Sequence, residues 1–275
     1  MSAAELVKAV ILARGLGTRM RQLDASAQHL NTLQARMADS GLKAMIPVGR
    51  PFLDYVLSGL ADAGYREVCL VIGPEHDVVR EYYTRVCVPK RLQVSFAVQE
   101  RPLGTADALA AAESFAGGEH FLVLNSDNYY PTAACGALRI LGESALAAFE
   151  GQSLVRDGNI SAERVRHFAV VTTHSDGTLE RIVEKPDEAT LRVLGPEIYV
   201  SMNCWSFSPA IFGACRAITP SPRGELELTD AVEYAITTLG ERFRVLTFHA
   251  GVLDLSSRAD IAAVAERLRG IEVRL

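Results

Sequence analysis

The stretch Val7-Lys8-Ala9-Val10-Ile11-Leu12-Ala13-Arg14-Gly15-Leu16-Gly17-Thr18-Arg19 decides how the chain is read. An apolar run of strand length, residues 7–12, passes directly into a turn with two glycines, and the turn closes on a hydroxyl and a guanidinium. Glycine lets backbone N–H groups approach an anion, because no side chain stands in the way. Arginine adds a permanent, planar, multi-donor cation. A phosphate-rich ligand is the first expectation. Two common phosphate loops do not fit. The dinucleotide fingerprint needs a third glycine three residues after the second, where this chain has Met20. The P-loop needs a Gly-Lys pair, which the chain lacks. A bare strand-to-helix turn and an anion loop are about equally good readings of Gly15 and Gly17, and later motifs decide between them.

Composition narrows the classes. At 275 residues, 49% of them apolar, the chain suits one large α/β domain or one and a half small ones. A net charge of −5 provides no basic footprint, so nucleic acid is not an expected partner, and an anionic ligand must be held by a few local cations. No signal peptide and no apolar run of membrane-spanning length is read in the sequence, so no membrane partner is expected. Five widely spaced cysteines (69, 87, 135, 204 and 215) with no C-x-x-C pair fit reduced thiols and a cytoplasmic location. The six histidines have no metal-ligand spacing. Only Lys8, Lys43, Lys90 and Lys185 are lysine among the 28 basic residues, and two of the four fall inside motifs discussed below.

Strand-like and helix-like runs alternate through the first half. Strands are expected over 7–12, 67–72, 92–98 and 120–124. Helices are expected over 51–60, with Gly64 as a stop, and over 77–83 and 105–114. This rhythm predicts a parallel sheet with helices on both faces, and its ligand belongs at the carboxyl ends of the strands. Residues 15–19 and 125–128 both follow strands and so share that edge. The second half reads differently: a hairpin pairs 168–173 with 179–183 around His174-Ser175-Asp176-Gly177, a strand covers 198–207, and helices cover 229–239 and 257–268. Mixed β-structure of this kind suggests a lobe over one side of the cleft. The least regular stretches are 20–42, a candidate lid, and 152–166.

Six motifs carry polar chemistry in order: Gly15-Leu16-Gly17-Thr18-Arg19, Lys43-Ala44-Met45-Ile46-Pro47-Val48, Gly104-Thr105-Ala106-Asp107-Ala108-Leu109 after Gln99, Asn125-Ser126-Asp127-Asn128, Glu184-Lys185-Pro186, and Glu227-Leu228-Thr229-Asp230. Each is weak alone. In this order and at these separations the chain, from about residue 7 to about 261, resembles the sugar-phosphate nucleotidyltransferase family, which includes glucose-1-phosphate thymidylyltransferases and uridylyltransferases. The resemblance implies a Rossmann-like, mostly parallel sheet flanked by helices, with a smaller mixed β lobe covering the sugar side of the cleft. It implies one nucleotidyltransferase domain over 1–275, with a nucleotide-binding half at about 1–150 and a sugar-phosphate-binding half at about 151–275. The reaction implied is Mg²⁺-dependent transfer of a nucleotidyl group from a nucleoside triphosphate, dTTP or UTP by preference, to a sugar 1-phosphate. A homo-oligomer is compatible with the family.

By the same resemblance, Arg19, Lys43 and Lys185 are the catalytic cations. Ala13, Gly15, Gly17, Thr18, Gln99, Pro102, Gly104 and Thr105 hold the nucleotide. Glu184, Lys185, Asn203, Ala169 and Arg223 hold the sugar phosphate, and Asp127 and Asp254 hold Mg²⁺. The chemistry is consistent with these roles. Joining two phosphates brings anions together, so cations must offset the repulsion, and Mg²⁺ takes one or two carboxylates plus phosphate oxygens. The chain departs from the family at several places. Arg14 stands where a small residue is usual, Leu42 replaces a proline, Ser126 replaces a glycine, and Ala169 replaces a glycine that commonly touches the sugar. These leave room for a non-sugar phosphate or phosphonate acceptor, or for a sensor that has lost turnover.

Overall fold

The computed structural model describes residues 7–24, 27, 30–195 and 197–275. Its strands are β1 (Lys8–Leu12), β2 (Glu67–Ile72), β3 (Gln93–Val98), β4 (Phe121–Asn125), β5 (Asn128–Tyr129), β6 (Ala145–Glu150), β7 (Val170–Thr173), β8 (Leu179–Val183), β9 (Tyr199–Phe207), β10 (Arg244–Phe248) and β11 (Leu253–Asp254). The main sheet runs β10-β6-β9-β4-β1-β2-β3, with β7 and β8 attached through β9. β1 lies parallel to β2 and β4, and β2 parallel to β3. β9 is antiparallel to β4 and β6, and β10 runs parallel to β6. The mixed β lobe is therefore an extension of the parallel sheet rather than a separate one.

The apolar run of β1 has a simple cause. Ala9 and Ile11 enter the core on one face, and Val10 and Leu12 enter it on the other. A central strand buried on both sides must be apolar throughout. Helices Phe52–Asp62, Thr132–Leu141 and Asp260–Arg267 cover the first face. Helices Thr105–Ala110, Ala210–Ala217 and Leu228–Thr237 cover the second. Cys69, Cys135, Cys204 and Cys215 are buried free thiols, and burial raises Cys69 to about 11 and Cys215 to about 12. Among the described residues no helix is long and apolar enough to cross a membrane.

Some expectations need correction. The stretch 20–42 contains a regular helix, Thr32–Ser40, whose Asn31 cap exchanges hydrogen bonds with Gln34. Its polar surface buries only Ala38, so no apolar period marks it. The expected lid lies partly outside the described residues, since 25, 26, 28 and 29 are not among them. The stretch 152–166 holds helices Gly151–Arg156 and Ala162–Val165. The helix expected over 105–114 breaks into Thr105–Ala110 and Glu113–Ala116. Residues 77–83 form a short helix, Asp77–Glu81, followed by a π turn, Tyr82–Val86.

One close approach sets the glycine loop. Gly17 has φ 61° and lies flat on Gly41, so that a Cβ on Gly17 would stand 2.4 Å from the Gly41 carbonyl oxygen. Gly41 itself has φ 75° and ends helix Thr32–Ser40, two residues before Lys43. The two backbones in contact fix where Lys43 emerges. Gly17→Ala should therefore cost about 2 kcal/mol or more from the left-handed backbone alone, read as a lower urea midpoint. An unchanged midpoint would show that this contact does not hold the loop.

Candidate active site

β1 and β4 are neighbours, yet the chain leaves β1 toward β2 and β3 and returns on the other side at β4. The loops leaving these two strands therefore diverge and open a crevice, the usual ligand position in such a sheet. A cleft of about 250 Å³ lies there. Eight of the residues singled out in the sequence contribute to it or adjoin one another in it: Ala13, Gly15, Lys43, Gln99, Pro102, Gly104, Thr105 and Asp127. Gly17, Thr18 and Arg19 lie just beyond its lining. Thr18 and Arg19 are exposed at the start of the Thr18–Arg21 turn of helix, and Arg19 has no ion pair among the described residues.

Gln99 is buried and its amide orientation is fixed. Nε2 donates to Asp107 Oδ2 at 2.7 Å and to the Gly104 carbonyl at 3.0 Å. Both partners are pure acceptors, so the amide nitrogen must face them. Oε1, the remaining group, is an acceptor without a partner among the described residues. Gly104 has φ 120°, and a Cβ there would stand 2.4 Å from the Leu226 carbonyl oxygen. The same contact is hydrogen-bonded: Ala106 N–H donates to Leu226 O, and Leu226 N–H to Leu103 O. The Thr105 hydroxyl accepts from Leu228 N–H at 2.9 Å, so this oxygen caps a helix of the second half.

Asp127 follows β4 and accepts a bond of 2.8 Å from Lys43 Nζ. Asp254 reaches the same place from the far end of the chain. The two-residue ladder of β5 with β11 pairs Asn128 with Asp254, and Leu255 N–H donates to the Asp127 carbonyl. Asp254 is buried, and burial with the neighbouring Asp127 charge raises its pKa to about 6. Its carboxylate accepts from Ser256 Oγ at 2.9 Å and pairs with Arg164, which also donates to Asp260 Oδ1 at 2.7 Å. Asn159 bonds the Asp254 backbone at both N–H and carbonyl. Arg164 and Asn159 were not legible beforehand, because nothing periodic marks their segment. The donor set, two adjacent carboxylates whose charges repel, fits a hard divalent cation with oxygen ligands. Loading Asp254 would require Arg164 to yield one oxygen.

The residues expected to hold the sugar phosphate do not line this cleft. Lys185 (φ 44°) and Asn203 (φ 57°) are the two non-glycine residues with positive φ among those described. Asn203 sits where β9 slips register against β6, between the pairs Ala148–Ser201 and Leu146–Trp205. Such a bulge re-aims a side chain. Lys185 is exposed and without an ion-pair partner among the described residues. Glu184, also exposed, borders a separate hollow with Thr229 and Asp230, and desolvation together with Glu227 raises its pKa. Arg223 forms a two-pronged pair with Glu227 at 3.0 and 2.7 Å. Ala169 is buried and its carbonyl accepts from Ser201 N–H.

Comparison with known proteins shows the family and the fold. A family model described as nucleotidyl transferase matches residues 8–247. The UTP–glucose-1-phosphate uridylyltransferase AglF of Haloferax volcanii is 26% identical over 96% of this chain and 97% of its own length. A glucose-1-phosphate thymidylyltransferase of Streptomyces griseus is 31% identical over 84% of this chain. The chain spans 57% of that protein, and 56% of a second Haloferax relative, a low-salt glycan biosynthesis nucleotidyltransferase. A solved UDP-glucose pyrophosphorylase complexed with UDP-glucose superposes with a TM-score of 0.73 over 95% of this chain and 97% of that one. At 18% identity that likeness speaks for the fold.

Arg164 bridges two nearly buried carboxylates, so removing it takes the bridging counter-charge from both. Arg164→Met should lower unfolding free energy by about 3 kcal/mol in a denaturant titration. A variant as stable as the parent would show that Asp254 and Asp260 do not depend on the bridge.

Proposed function

Because the chain belongs to the nucleotidyl transferase family, we propose that it transfers a nucleotidyl group from UTP or dTTP to a sugar 1-phosphate and releases pyrophosphate. The observation that carries this reading is the cleft at the β1–β4 edge, where Lys43, Asp127 and the free oxygen of Gln99 converge. The names of the relatives support the donor and acceptor classes. Residues 1–275 act as one nucleotidyltransferase domain in this reading, with the nucleotide half at about 1–150 and the sugar half at about 151–275.

A phosphate oxygen of the sugar 1-phosphate attacks the α-phosphorus in line. One P–O bond forms, the α–β bridge bond breaks, and the electron pair leaves with pyrophosphate. The nucleophile is already ionised near neutral pH, since the second phosphate pKa is about 6, so no strong general base is needed. Positioning and charge stabilisation carry the catalysis. Gly15, Gly17, Thr18 and Arg19 would take the triphosphate, with Lys43 leaving Asp127 for the phosphates. Gln99 Oε1 would accept from a ring N–H of the base. Uracil and thymine offer one at N3, whereas cytosine and adenine present a ring lone pair. Pro102 and Gly104 would wall the base. Lys185 would hold the acceptor phosphate, and Glu184 and Asn203 the sugar hydroxyls. Arg223 would supply a further phosphate contact on leaving Glu227. Asp127 and Asp254 would hold Mg²⁺, which when bound offsets charge on the phosphates. The Ala169 methyl narrows the sugar side and favours testing acceptors beyond common hexoses.

Pyrophosphate release with Mg²⁺ tests this directly, crossing five nucleoside triphosphates with sugar 1-phosphates and a few non-sugar phosphates. UTP or dTTP with a sugar 1-phosphate should give the signal. A signal confined to non-sugar acceptors would replace the acceptor class, and silence with all of them while UTP still binds would favour a sensor. Lys185→Ala and Asp127→Asn should each lose about 100-fold or more in kcat/KM with an unchanged unfolding midpoint. Near-normal rates in either variant would overturn the assignment.

A further inference from the structure

Arg14 follows β1, lines the nucleotide cleft and is 8% exposed. Its Nη2 donates to Glu75 at 3.2 and 3.3 Å, while Nε and Nη1 are buried with no hydrogen-bond partner. Four buried side-chain polar atoms lack partners among the described residues, and two of them belong to this one guanidinium. A buried donor left unmet is unfavourable, and a charged one more so. Arg258, equally buried, shows what a structural arginine does here: its Nε bonds Gln22 O, and its Nη2 bonds Arg21 O and Asp39. Glu75 does not account for the burial of Arg14, because its own side chain is 51% exposed and the pair is screened by water.

The position of the guanidinium says which part of a nucleotide it serves. It lies over Gly73, the residue after β2, where a Cβ would stand 2.5 Å from Arg14 Nε. Gln99 N–H is bonded to the carbonyl of Ile72, one residue earlier. Arg14 thus leans to the Gln99 flank of β1, whereas Lys43 and Asp127 occupy the β4 flank. The other titratable neighbour is His76, whose Nδ1 accepts from Gly73 N–H; burial, Arg14 and Arg21 all lower its pKa.

We propose that Arg14 is a base-specificity residue: on nucleotide entry its free N–H groups donate to the 4-carbonyl oxygen of uracil or thymine, beside the N3–H that Gln99 Oε1 accepts. The inference rests on the nucleotidyl-transfer reading of this cleft. Donor and acceptor side by side match a carbonyl next to a ring N–H. Cytosine reverses both, placing an amine before the guanidinium and a lone pair before the amide oxygen. Uracil or thymine meets the unmatched donors of Arg14, and cytosine leaves them unmet.

Calorimetric binding of UTP, CTP and inorganic tripolyphosphate, each with Mg²⁺, tests it without relying on turnover. The parent should prefer UTP over CTP. Arg14→Met should weaken UTP by about 10- to 100-fold and leave CTP and tripolyphosphate within about threefold. Arg14→Lys, which keeps the charge but loses the planar fork, should also lower the UTP-to-CTP ratio by about tenfold or more. It provides the same test if the methionine variant does not fold. Glu75→Gln should keep the parent's ratio. Equal losses for UTP, CTP and tripolyphosphate would make Arg14 a phosphate ligand and overturn the inference, as would an unchanged ratio in both Arg14 variants. A parent that binds UTP and CTP equally also overturns it while leaving nucleotidyl transfer standing. A parent that binds no nucleotide overturns both.

Discussion

Two carboxylates, Asp127 and Asp254, are held side by side by a ladder only two residues long, and much of the site answers to the repulsion between them. Lys43 bonds one carboxylate and Arg164 the other. Each cation is itself held by a further contact: Lys43 by Gly17 lying on Gly41, and Arg164 by its second bond to Asp260. Buried like charges are tolerated only when opposite charge stands within reach. In the proposed reading the same arrangement prepares the site for polyphosphate chemistry. A place that already balances two anions with two cations can exchange partners when an anionic ligand and a divalent cation arrive together.

A second constraint joins the two halves of the chain. Gly104 packs directly on Leu226, and Thr105 caps helix Leu228–Thr237. The loop carrying Gln99 and Gly104 is thereby tied to the segment carrying Arg223 and Glu227. A shift of the Arg223–Glu227 segment would be felt at Gln99 through this seam. Lys185 and Asn203 hold positive φ at residues that are not glycine, which costs energy and persists only where the surroundings impose it. Both are residues that the proposed reading assigns to the sugar phosphate, where a side chain aimed by its backbone would have a use.

The sequence made the elements buried on both faces readable. β2 spans Glu67–Ile72 as its apolar run suggests, whereas the half-exposed β8, Leu179–Val183, was readable from the turn that precedes it. The turn between β7 and β8 is set by Asp176, whose carboxylate accepts from Thr178 N–H and Oγ1, with Gly177 at φ 78°. Helix Thr32–Ser40 escaped because it buries almost nothing; the Asn31-x-x-Gln34 cap was its only local sign. β5 and β11 are too short for any periodicity, so no pattern in the chain could bring Asp254 to Asp127; only resemblance placed them together. Long-range partners such as Arg164, 90 residues from Asp254, have no local signature at all. Arg14 was readable as an oddity of the loop, but its two unmet donors appear only once the fold buries it.

A crystal structure of the protein with a non-hydrolysable UTP analogue and Mg²⁺ bears most directly on the central claim, that the β1–β4 crevice is the nucleotide site. The account predicts the base against Gln99, Pro102 and Gly104, the phosphates beside Arg19 and Lys43, and the metal ion on Asp127. A nucleotide bound elsewhere, or bound here with its base at the Lys43 flank and its phosphates at Gln99, would contradict it.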